Sequence, residues 1–136
     1  MVKSILSSPQ ESILERAMSA SALRHKVISN NIANVNTPLF KKSDVSFEDQ
    51  LAEALAPTKP AITRTHAKHL TGKQAGGFDP VITTDKTTSL RTDGNNVDID
   101  AEMAGMAKNT IYYDAVAQQL SRYFSNLKSV INEGRR

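Results

Sequence analysis

Two short clusters of polar residues have the spacing of a chemical site. His66 and His69 are separated by two residues, which is the spacing of two metal ligands on one helical turn. The segment from Asp93 to Glu102 alternates oxygen-bearing side chains, as a calcium-binding loop does. Metal binding is the chemistry that either cluster could support.

Neither cluster has the other parts of a metal site. Zinc sites need three or four ligands, and the two histidines lie among Thr, Lys and Gly residues in a chain without cysteine. Counted from Asp93, a calcium loop needs glycine at its sixth position and glutamate at its twelfth, where this chain has Asp98 and Ala104. We therefore predict a solvated histidine pair, a turn followed by a helix cap at Asp98, and no metal or other cofactor.

Other classes of function have equally little support. The sequence has no glycine-rich phosphate loop, no nucleophile-elbow serine and no pair of carboxylates beside a histidine, so we predict that the protein is not an enzyme. The net charge of +3 is small and too scattered for a nucleic-acid surface. No stretch approaches the roughly 18 apolar residues of a membrane helix, and none resembles a signal-peptide core, so we predict no direct membrane span.

The first element that must position any site is a helix over about residues 9 to 35. Ser8-Pro9-Gln10-Glu11 fits a capping box with proline at the first helical position. An amphipathic stripe follows, which Ser21 and His25 interrupt. Thr37-Pro38 ends it, since the residue before proline favours extended backbone. The stripe consists of Leu14, Met18, Ile28, Ile32 and Val35.

A longer helix is predicted at the C-terminal end of the sequence. Asp98 caps its start and Gly134 stops it. Its apolar positions alternate steps of four and three, the pattern of a helix that buries a narrow seam against other helices. The seam consists of Ile99, Met103, Met106, Thr110, Tyr113, Ala117, Leu120, Phe124, Leu127 and Ile131.

The middle of the chain is polar. Ser46 is a candidate cap for a short helix that carries Phe47, and residues 63–92 are rich in turn-forming residues. Within them Pro80-Val-Ile-Thr-Thr is the plausible strand, so the segment is interpreted as a loop, a hairpin or a segment that orders on binding.

The predicted fold class is mainly α, with long N- and C-terminal helices forming a coiled-coil-like pair and a loop-rich middle with room for a short β-hairpin. We expect three units: residues 1–42 with the first helix, residues 43–97 with the short helix and loops, and residues 98–136 with the long helix. Two helices joined by a polar middle cover little of each other's apolar surface, so the seams favour contacts with other subunits. An intramolecular helical hairpin is the alternative explanation of the seams.

One segment closely resembles a family signature. Ser29-Asn-Asn-Ile-Ala-Asn-Val-Asn-Thr-Pro38 is similar to the N-terminal signature shared by flagellar rod, hook and hook-associated proteins, and we call residues 29–38 the asparagine signature. The short chain and the segment from Leu90 to Asp100, followed by Asn109 and Tyr112-Tyr113, make the resemblance closest to the proximal rod proteins. After Thr37-Pro38 the family usually has Gly-Tyr, whereas this chain has Leu39-Phe40, so the flexible glycine is absent from that turn.

The resemblance implies a structural subunit of the bacterial flagellar basal-body rod. Such a subunit is exported unfolded by the flagellar type III apparatus without a cleaved signal peptide, and reaches the periplasmic rod. It polymerises through its terminal helices and joins the MS ring and export gate to the distal rod. The implied partners are further copies, other rod subunits such as FlgC, the adaptor FliE, the export gate and the MS ring. A coiled-coil adaptor or export chaperone of the flagellar system is the alternative function, and a small basic nucleic-acid-associated helical protein is a weaker one.

The candidate site is therefore an assembly interface with no catalytic, cofactor-binding or metal-binding residues. It combines apolar seam positions with polar residues of the asparagine signature, whose amides can tie a helix end to its neighbours. We predict that the interface comprises Leu14, Met18, Ile28, Asn30, Asn31, Ile32, Asn34, Asn36, Thr37, Pro38, Ile99, Met103, Met106, Tyr113, Leu120, Phe124, Leu127 and Ile131.

Overall fold

The computed structural model describes residues 9–55 and 80–133. In chain order they form α1 (Pro9–Ala33), β1 (Ser43–Ser46), α2 (Glu48–Leu55), β2 (Val81–Thr84) and α3 (Ile99–Glu133). The predicted mainly α fold, with long terminal helices and a small antiparallel strand pair in the middle, is confirmed. The predictions for Ser8, His66, His69 and Gly134 fall outside the described residues.

Helix α1 begins at Pro9 as predicted and ends at Ala33, two residues before the predicted end. The final turn tightens, because the Asn34 N–H reaches the carbonyls of both Asn30 and Asn31 at 3.1 Å and the Val35 N–H reaches Ile32 at 3.2 Å. Shared bonds of this kind are common where a helix ends. The asparagine signature therefore leaves the helix before Thr37-Pro38 is reached.

Helix α3 confirms both the predicted start and its cap. The Asp98 carboxylate accepts bonds from the N–H groups of Asp100 at 3.0 Å and Ala101 at 3.3 Å, which satisfies two amides of the first turn. Asp93 accepts the N–H of Asn95 at 3.1 Å, as the predicted turn before the cap requires. The carboxylates of Asp93 and Asp98 thus bind nearby N–H groups and fix the local backbone conformation.

The middle segment forms a two-stranded antiparallel sheet in which Ser43 pairs with Thr84 and Ser46 with Val81. Strand β2 matches the predicted strand, whereas β1 was not predicted. The expectation that Ser46 caps the short helix is wrong: Ser46 is the last residue of β1, and α2 opens with the Leu51 N–H bonded to the Phe47 carbonyl at 2.9 Å. The short helix itself is present.

The core lies where α1 meets the small sheet and α3. Ala20, Val45 and Phe47 are fully enclosed, and Tyr112 of α3 packs on them with its ring centroid 6.0 Å from that of Phe47. Burial also raises the pKa of Tyr112. Within residues 9–55 and 80–133, the buried apolar residues are Ala17, Ala20, Ile28, Val45, Phe47, Val97 and Val116. A core this small leaves much of the helices' apolar surface for other contacts.

Arg24 ties α1 to the start of α2. Its guanidinium stacks 4.5 Å from the centre of the Phe47 ring, donates to the Val45 carbonyl at 3.1 Å and bonds both oxygens of the Glu48 carboxylate, one of them at 2.7 Å. The bond to Arg24 lowers the pKa of Glu48 from 4.5 to about 2. The fork geometry of arginine suits such a two-oxygen contact.

This pair predicts an acid-sensitive contribution to stability. Because the folded-state pKa of Glu48 lies below its unfolded value, the stabilisation is complete above pH 4.5 and is lost as the pH falls from 4.5 towards about 2. The Glu48 side chain is 56% exposed, so we expect a contribution of at most about 1 kcal/mol. The measurement is the free energy of urea unfolding between pH 2 and 7.

The control for this prediction is Asp49, an exposed carboxylate one residue further along α2. Glu48→Gln should reduce the fall in the free energy of unfolding between pH 4.5 and about 2, while Asp49→Asn should leave that fall unchanged. An equal fall in the parent protein and in Glu48→Gln would contradict the assignment of this pH dependence to Glu48.

Candidate functional site

Three buried asparagines join the end of α1 to the start of α3. Asn31, Asn95 and Asn96 are each 1% exposed or less, and their amides bind the segments 34–43 and 85–97. We call these three residues and the two segments the asparagine junction. Buried amides are stable only when bonded, so each one fixes the position of the backbone around it.

Asn31 pairs with Ser43 as a neighbouring strand would. Its Oδ1 accepts the Ser43 N–H at 3.1 Å, and its Nδ2 donates to the Ser43 carbonyl at 2.8 Å. The same Nδ2 donates to Glu102 on α3 at 3.0 Å. One side chain of the asparagine signature therefore holds α1, β1 and α3 together.

Asn95 completes the end of α1 from a distant part of the chain. Its Nδ2 lies 3.0 Å from the Asn34 carbonyl, 3.1 Å from that of Val35 and 2.9 Å from that of Thr37. Its Oδ1 accepts the Val97 N–H at 2.7 Å. Carbonyls at a helix end need such partners, and here a residue some sixty positions later supplies them.

Asn96 and Lys41 bind the two segments of the junction to each other. Asn96 accepts the Lys42 N–H at 2.7 Å and donates to the Asp85 carbonyl at 2.9 Å. The Lys41 ammonium donates to the carbonyls of Thr88 at 2.7 Å and Gly94 at 2.8 Å. Residues 80–92 are the described part of the segment 63–92, which was interpreted as a loop, a hairpin or a segment that orders on binding, and they are held by bonds within the chain.

Asp85 organises the turn that follows β2. Its carboxylate accepts the hydroxyl of Thr88 at 2.6 Å, and the N–H and hydroxyl of Thr87 at 2.9 and 2.8 Å. These bonds, chiefly the one from the Thr88 hydroxyl, hold the pKa of Asp85 well below its usual value. The turn thereby presents the Thr88 carbonyl to Lys41.

The turn after Pro38 keeps a glycine-like geometry although it contains leucine. Leu39 has φ of 61°, the left-handed region that glycine adopts most easily. Its N–H donates to the Asp93 carbonyl at 3.0 Å. Leucine therefore adopts at this position a backbone conformation that glycine reaches more easily, which places strain at Leu39.

The face of α3 that contacts α1 is not the predicted seam. Asn109 and Val116 are buried there, and Asn109 donates to the Ser21 carbonyl at 2.9 Å. These two residues precede seam positions Thr110 and Ala117 by one residue. At these two positions the contact line is thus displaced from the seam by one residue, about 100° around an α-helix.

The rotation leaves part of the seam uncovered within the chain. Five of its large side chains are exposed, and we call them the α3 outer stripe. The exposed fractions are Ile99 43%, Met103 58%, Tyr113 37%, Phe124 45% and Ile131 64%. Four other seam residues, Met106, Ala117, Leu120 and Leu127, are half-buried. The helices therefore pair within the chain and also retain apolar surface for another partner.

A cleft of about 330 Å³ opens between the helices beside the outer stripe. Its buried wall contains Ser21 and Asn109, whose Oδ1 has no hydrogen-bond partner among the described residues. The full lining is Ser21, Ala22, His25, Lys26, Asn109, Thr110 and Tyr113. Ser21 and His25 interrupt the predicted stripe of α1 because they face this cleft.

The predicted interface residues fall into two groups. Ile28 and Asn31 are buried within the chain, while Leu14, Met18, Ile32 and Asn34 are half-buried. Asn30, Asn36, Thr37 and Pro38 are exposed, as is the α3 outer stripe. The junction brings the signature close to the first turn of α3 through Glu102, whereas Phe124, Leu127 and Ile131 lie towards the other end of α3.

Sequence reasoning missed the residues that complete the junction. Asn95 and Asn96 lie in the segment that was examined for calcium binding, and their partners are more than fifty positions away for the most part. The available signal was two adjacent asparagines that end two positions before the helix cap Asp98. Asn109 was hidden because a polar residue at a buried helix position breaks the apolar periodicity.

Known proteins have sequences similar to that of this chain. A family profile described as "Flagella basal body rod protein" matches residues 13–41, which span most of α1 and the asparagine signature. The flagellar basal body rod protein FlgB of Bacillus subtilis is 34% identical over 122 residues, covering 90% of this chain and 92% of that protein. The chain belongs to the flagellar basal-body rod protein family.

Two further rod proteins support the same membership. FlgB of Borrelia hermsii is 36% identical over 125 residues, covering 88% of this chain and 93% of the relative. FlgB of Borreliella burgdorferi is 32% identical over 122 residues, covering 85% and 90% respectively. The coverage means that the rod-protein similarity includes both terminal helices and the junction.

The rod family settles the general function. The chain is a FlgB-like structural subunit of the proximal rod in the flagellar basal body, as predicted, and it assembles with other rod components. The adaptor or export-chaperone alternative is not favoured. Within residues 9–55 and 80–133, no helix is long and apolar enough to cross a membrane.

Proposed function

We propose that this rod subunit polymerises by packing its α3 outer stripe against helices of neighbouring subunits. The uncovered stripe is the observation that carries the proposal. Fully burying a large apolar side chain stabilises by about 1.5–3 kcal/mol, and five partly exposed ones can each contribute a share of that. The association would supply burial that the small core of the single chain lacks.

The asparagine junction has a different role in the proposed assembly. Its buried bonds set the angle at which α1 meets α3, and they place the exposed Asn30, Asn36, Thr37 and Pro38 beside the helix pair. The signature would then act partly inside the chain, through Asn31 and Asn34, and partly at its surface. In this assembly residues 1–42 would supply the first helix with its signature. Residues 43–97 would serve as the connecting unit, and residues 98–136 would form the main packing helix.

Family membership and the uncovered surfaces support a proposed position in the basal body. The subunit would join the MS ring and export gate to the distal rod and would contact further copies, FlgC and the adaptor FliE. It would reach the periplasmic rod through the type III apparatus, without a cleaved signal peptide. Packing alone suffices for this role, so we propose that it catalyses no reaction.

The proposal is tested first by removing the gene. Electron microscopy of isolated basal bodies should show rings without rods, and the intact gene should restore the rods. Rods of normal length in the deletion strain would exclude an essential structural role. The restored strain controls for effects on neighbouring genes.

A further inference from the structure

The cleft between α1 and α3 has a wall that can accept hydrogen bonds but whose own donors are already used. The Ser21 hydroxyl donates to the Met18 carbonyl at 2.9 Å, and the Thr110 hydroxyl donates to the Met106 carbonyl at 3.0 Å. The Asn109 Nδ2 donates to the Ser21 carbonyl at 2.9 Å. A hydroxyl has one donor and two acceptor lone pairs, so the Ser21 and Thr110 oxygens keep acceptor capacity beside the cleft.

Asn109 is the residue of this wall whose acceptor lacks a partner. The residue is 3% exposed, and its Oδ1 receives no hydrogen bond from the part of the chain that the structure describes. Exchanging the oxygen and nitrogen of the amide would not help, because the oxygen would then face the Ser21 carbonyl. A buried acceptor without a donor costs stability. The wall is therefore completed by an N–H or O–H donor that none of the described residues supplies.

The rim of the cleft restricts the kind of donor that can enter. His25 and Lys26 line the cleft and are exposed, and no acidic residue is among the described residues that line it. The Lys26 charge repels an ammonium or a guanidinium. A carboxylate would suit Lys26 but has no N–H for Asn109. A carboxamide supplies both parts, because it has two N–H donors for the wall and an oxygen that the rim can bond.

The size and position of the cleft suit one side chain of a neighbouring subunit. Its volume of about 330 Å³ is at the lower end of the range of small-molecule pockets. Tyr113 lines the cleft and also belongs to the α3 outer stripe. A helix that packs on the stripe would pass beside the cleft and could insert a side chain between α1 and α3.

We infer that this cleft receives the carboxamide of an asparagine or glutamine from the neighbouring subunit that covers the α3 outer stripe, and that Asn109 selects it. The inference rests on the proposed polymerisation and adds to it the chemistry of the inserted side chain. The carboxamide donates to Asn109 Oδ1, and its oxygen accepts from the rim.

Small probes of equal carbon number test this chemistry on the purified chain. Butyramide, butylammonium and butyrate are titrated at neutral pH while NMR follows the side-chain NH2 signals of Asn109. We expect butyramide to bind with millimolar affinity and both ions to bind about tenfold more weakly or worse, because Lys26 repels one and the other lacks a donor. Equal binding of the three probes, or no binding of butyramide, would overturn the inference.

Two variants show which residues set this preference. Asn109→Leu removes Oδ1 at similar volume and should reduce the butyramide affinity to that of the ions. Lys26→Glu changes an exposed residue of the rim, so it is informative even where Asn109→Leu does not fold, and it should raise the butylammonium affinity about tenfold. A retained preference for butyramide in Asn109→Leu, or an unchanged butylammonium affinity in Lys26→Glu, would contradict the assignment.

Filling the cleft tests whether the rod uses it. Ala22 is exposed and lines the cleft, so Ala22→Trp should change the Tm of the purified chain by no more than about 3 °C. It should nevertheless reduce the number of rods per basal body by about tenfold or more, as loss of a central contact does. Ala52→Trp makes the same enlargement at an exposed alanine of α2 and should leave rods unchanged.

Cross-linking identifies the group that enters the cleft. Benzoylphenylalanine in place of Lys26 is activated by light in isolated basal bodies, and mass spectrometry locates the attached residue. The attachment should lie within one helical turn of an asparagine or glutamine of a rod subunit. Attachment beside lysine or arginine instead, or no attachment to a rod subunit, would overturn the inference.

Phe124→Asp separates failure of this inference from failure of the proposed function. If Phe124→Asp abolishes rods while Ala22→Trp leaves their number normal, polymerisation through the α3 outer stripe stands and the cleft is not an insertion site. If neither variant affects rods, the proposed polymerisation is wrong as well.

Discussion

Replacing Asn95 with alanine is expected to lower the free energy of unfolding by about 3 kcal/mol or more. The change removes the donor shared by the carbonyls of Asn34, Val35 and Thr37 and the acceptor of the Val97 N–H. Asn95 is fully buried, so water replaces those bonds poorly. Urea unfolding followed by circular dichroism measures the loss.

Two further substitutions show whether the bonds or the volume of Asn95 matter. Asn95→Asp keeps the shape but loses the NH2 donor, and we expect it to destabilise the chain about as strongly as alanine. Asn36→Ala is the matched control, because Asn36 is an exposed asparagine of the same signature, and it should change stability by less than about 0.5 kcal/mol. A cost for Asn95→Ala within that range would show that the junction contributes little.

The asparagine junction is expected to affect rod assembly as well as stability, because it fixes how α1 and α3 cross. Asn31 touches both Ser43 and Glu102, and Asn95 holds the last carbonyls of α1, so the crossing of α1 and α3 depends on them. In the proposed assembly, the α3 outer stripe would meet neighbouring subunits in the correct direction only while that crossing is fixed. Destabilising variants of the junction should therefore lose rods even where no surface residue has changed.

The elements of the fold could largely be predicted because their signals are local. Pro9 sets the start of α1, Asp98 caps α3, and apolar periodicity sustains both helices between these points. Strand β2 consists of four β-branched residues, which favour a strand. Strand β1, with sequence Ser-Asp-Val-Ser, carried one apolar residue, and it forms a strand because Asn31 and β2 bind its backbone from distant positions.

The helix contact could not be predicted from periodicity alone. A count of apolar residues finds the strongest stripe, which on α3 includes Phe124 and Ile131. The actual contact with α1 passes through Asn109 and Tyr112, and small or polar residues on α1, such as Ala20 and Ser21, receive them. A buried asparagine bonded to a helix carbonyl contributes to packing without adding to any apolar pattern.

Leu39 illustrates a further limit of sequence reasoning. The family pattern usually places glycine there, and its absence left two outcomes open, a different turn or the same turn under strain. The structure has the strained turn, in which Leu39 is left-handed and its N–H is bonded to the Asp93 carbonyl. Those contacts join positions far apart in the chain, so the local sequence could not distinguish the outcomes.

Phe124→Asp is expected to abolish rod assembly while leaving the single chain folded. Phe124 is 45% exposed in the chain, so the substitution should change the free energy of unfolding by no more than about 1 kcal/mol. In a polymer the same position would lie between helices, where an unpaired carboxylate costs several kcal/mol at every subunit. Counting rods on isolated basal bodies, with motility in soft agar alongside, measures the result.

Phe124 is a sharper test than the neighbouring seam residue Leu120, because Leu120 is half-buried against its own chain and a charge there would also disturb the fold. Ser125→Asp adds the same charge one residue later at an exposed position and should leave rods intact. Measuring the exported protein separates an export defect from an assembly defect. Rods of normal number with Phe124→Asp would mean that the outer stripe faces solvent in the basal body, and the basis of the proposed polymerisation would then be lost.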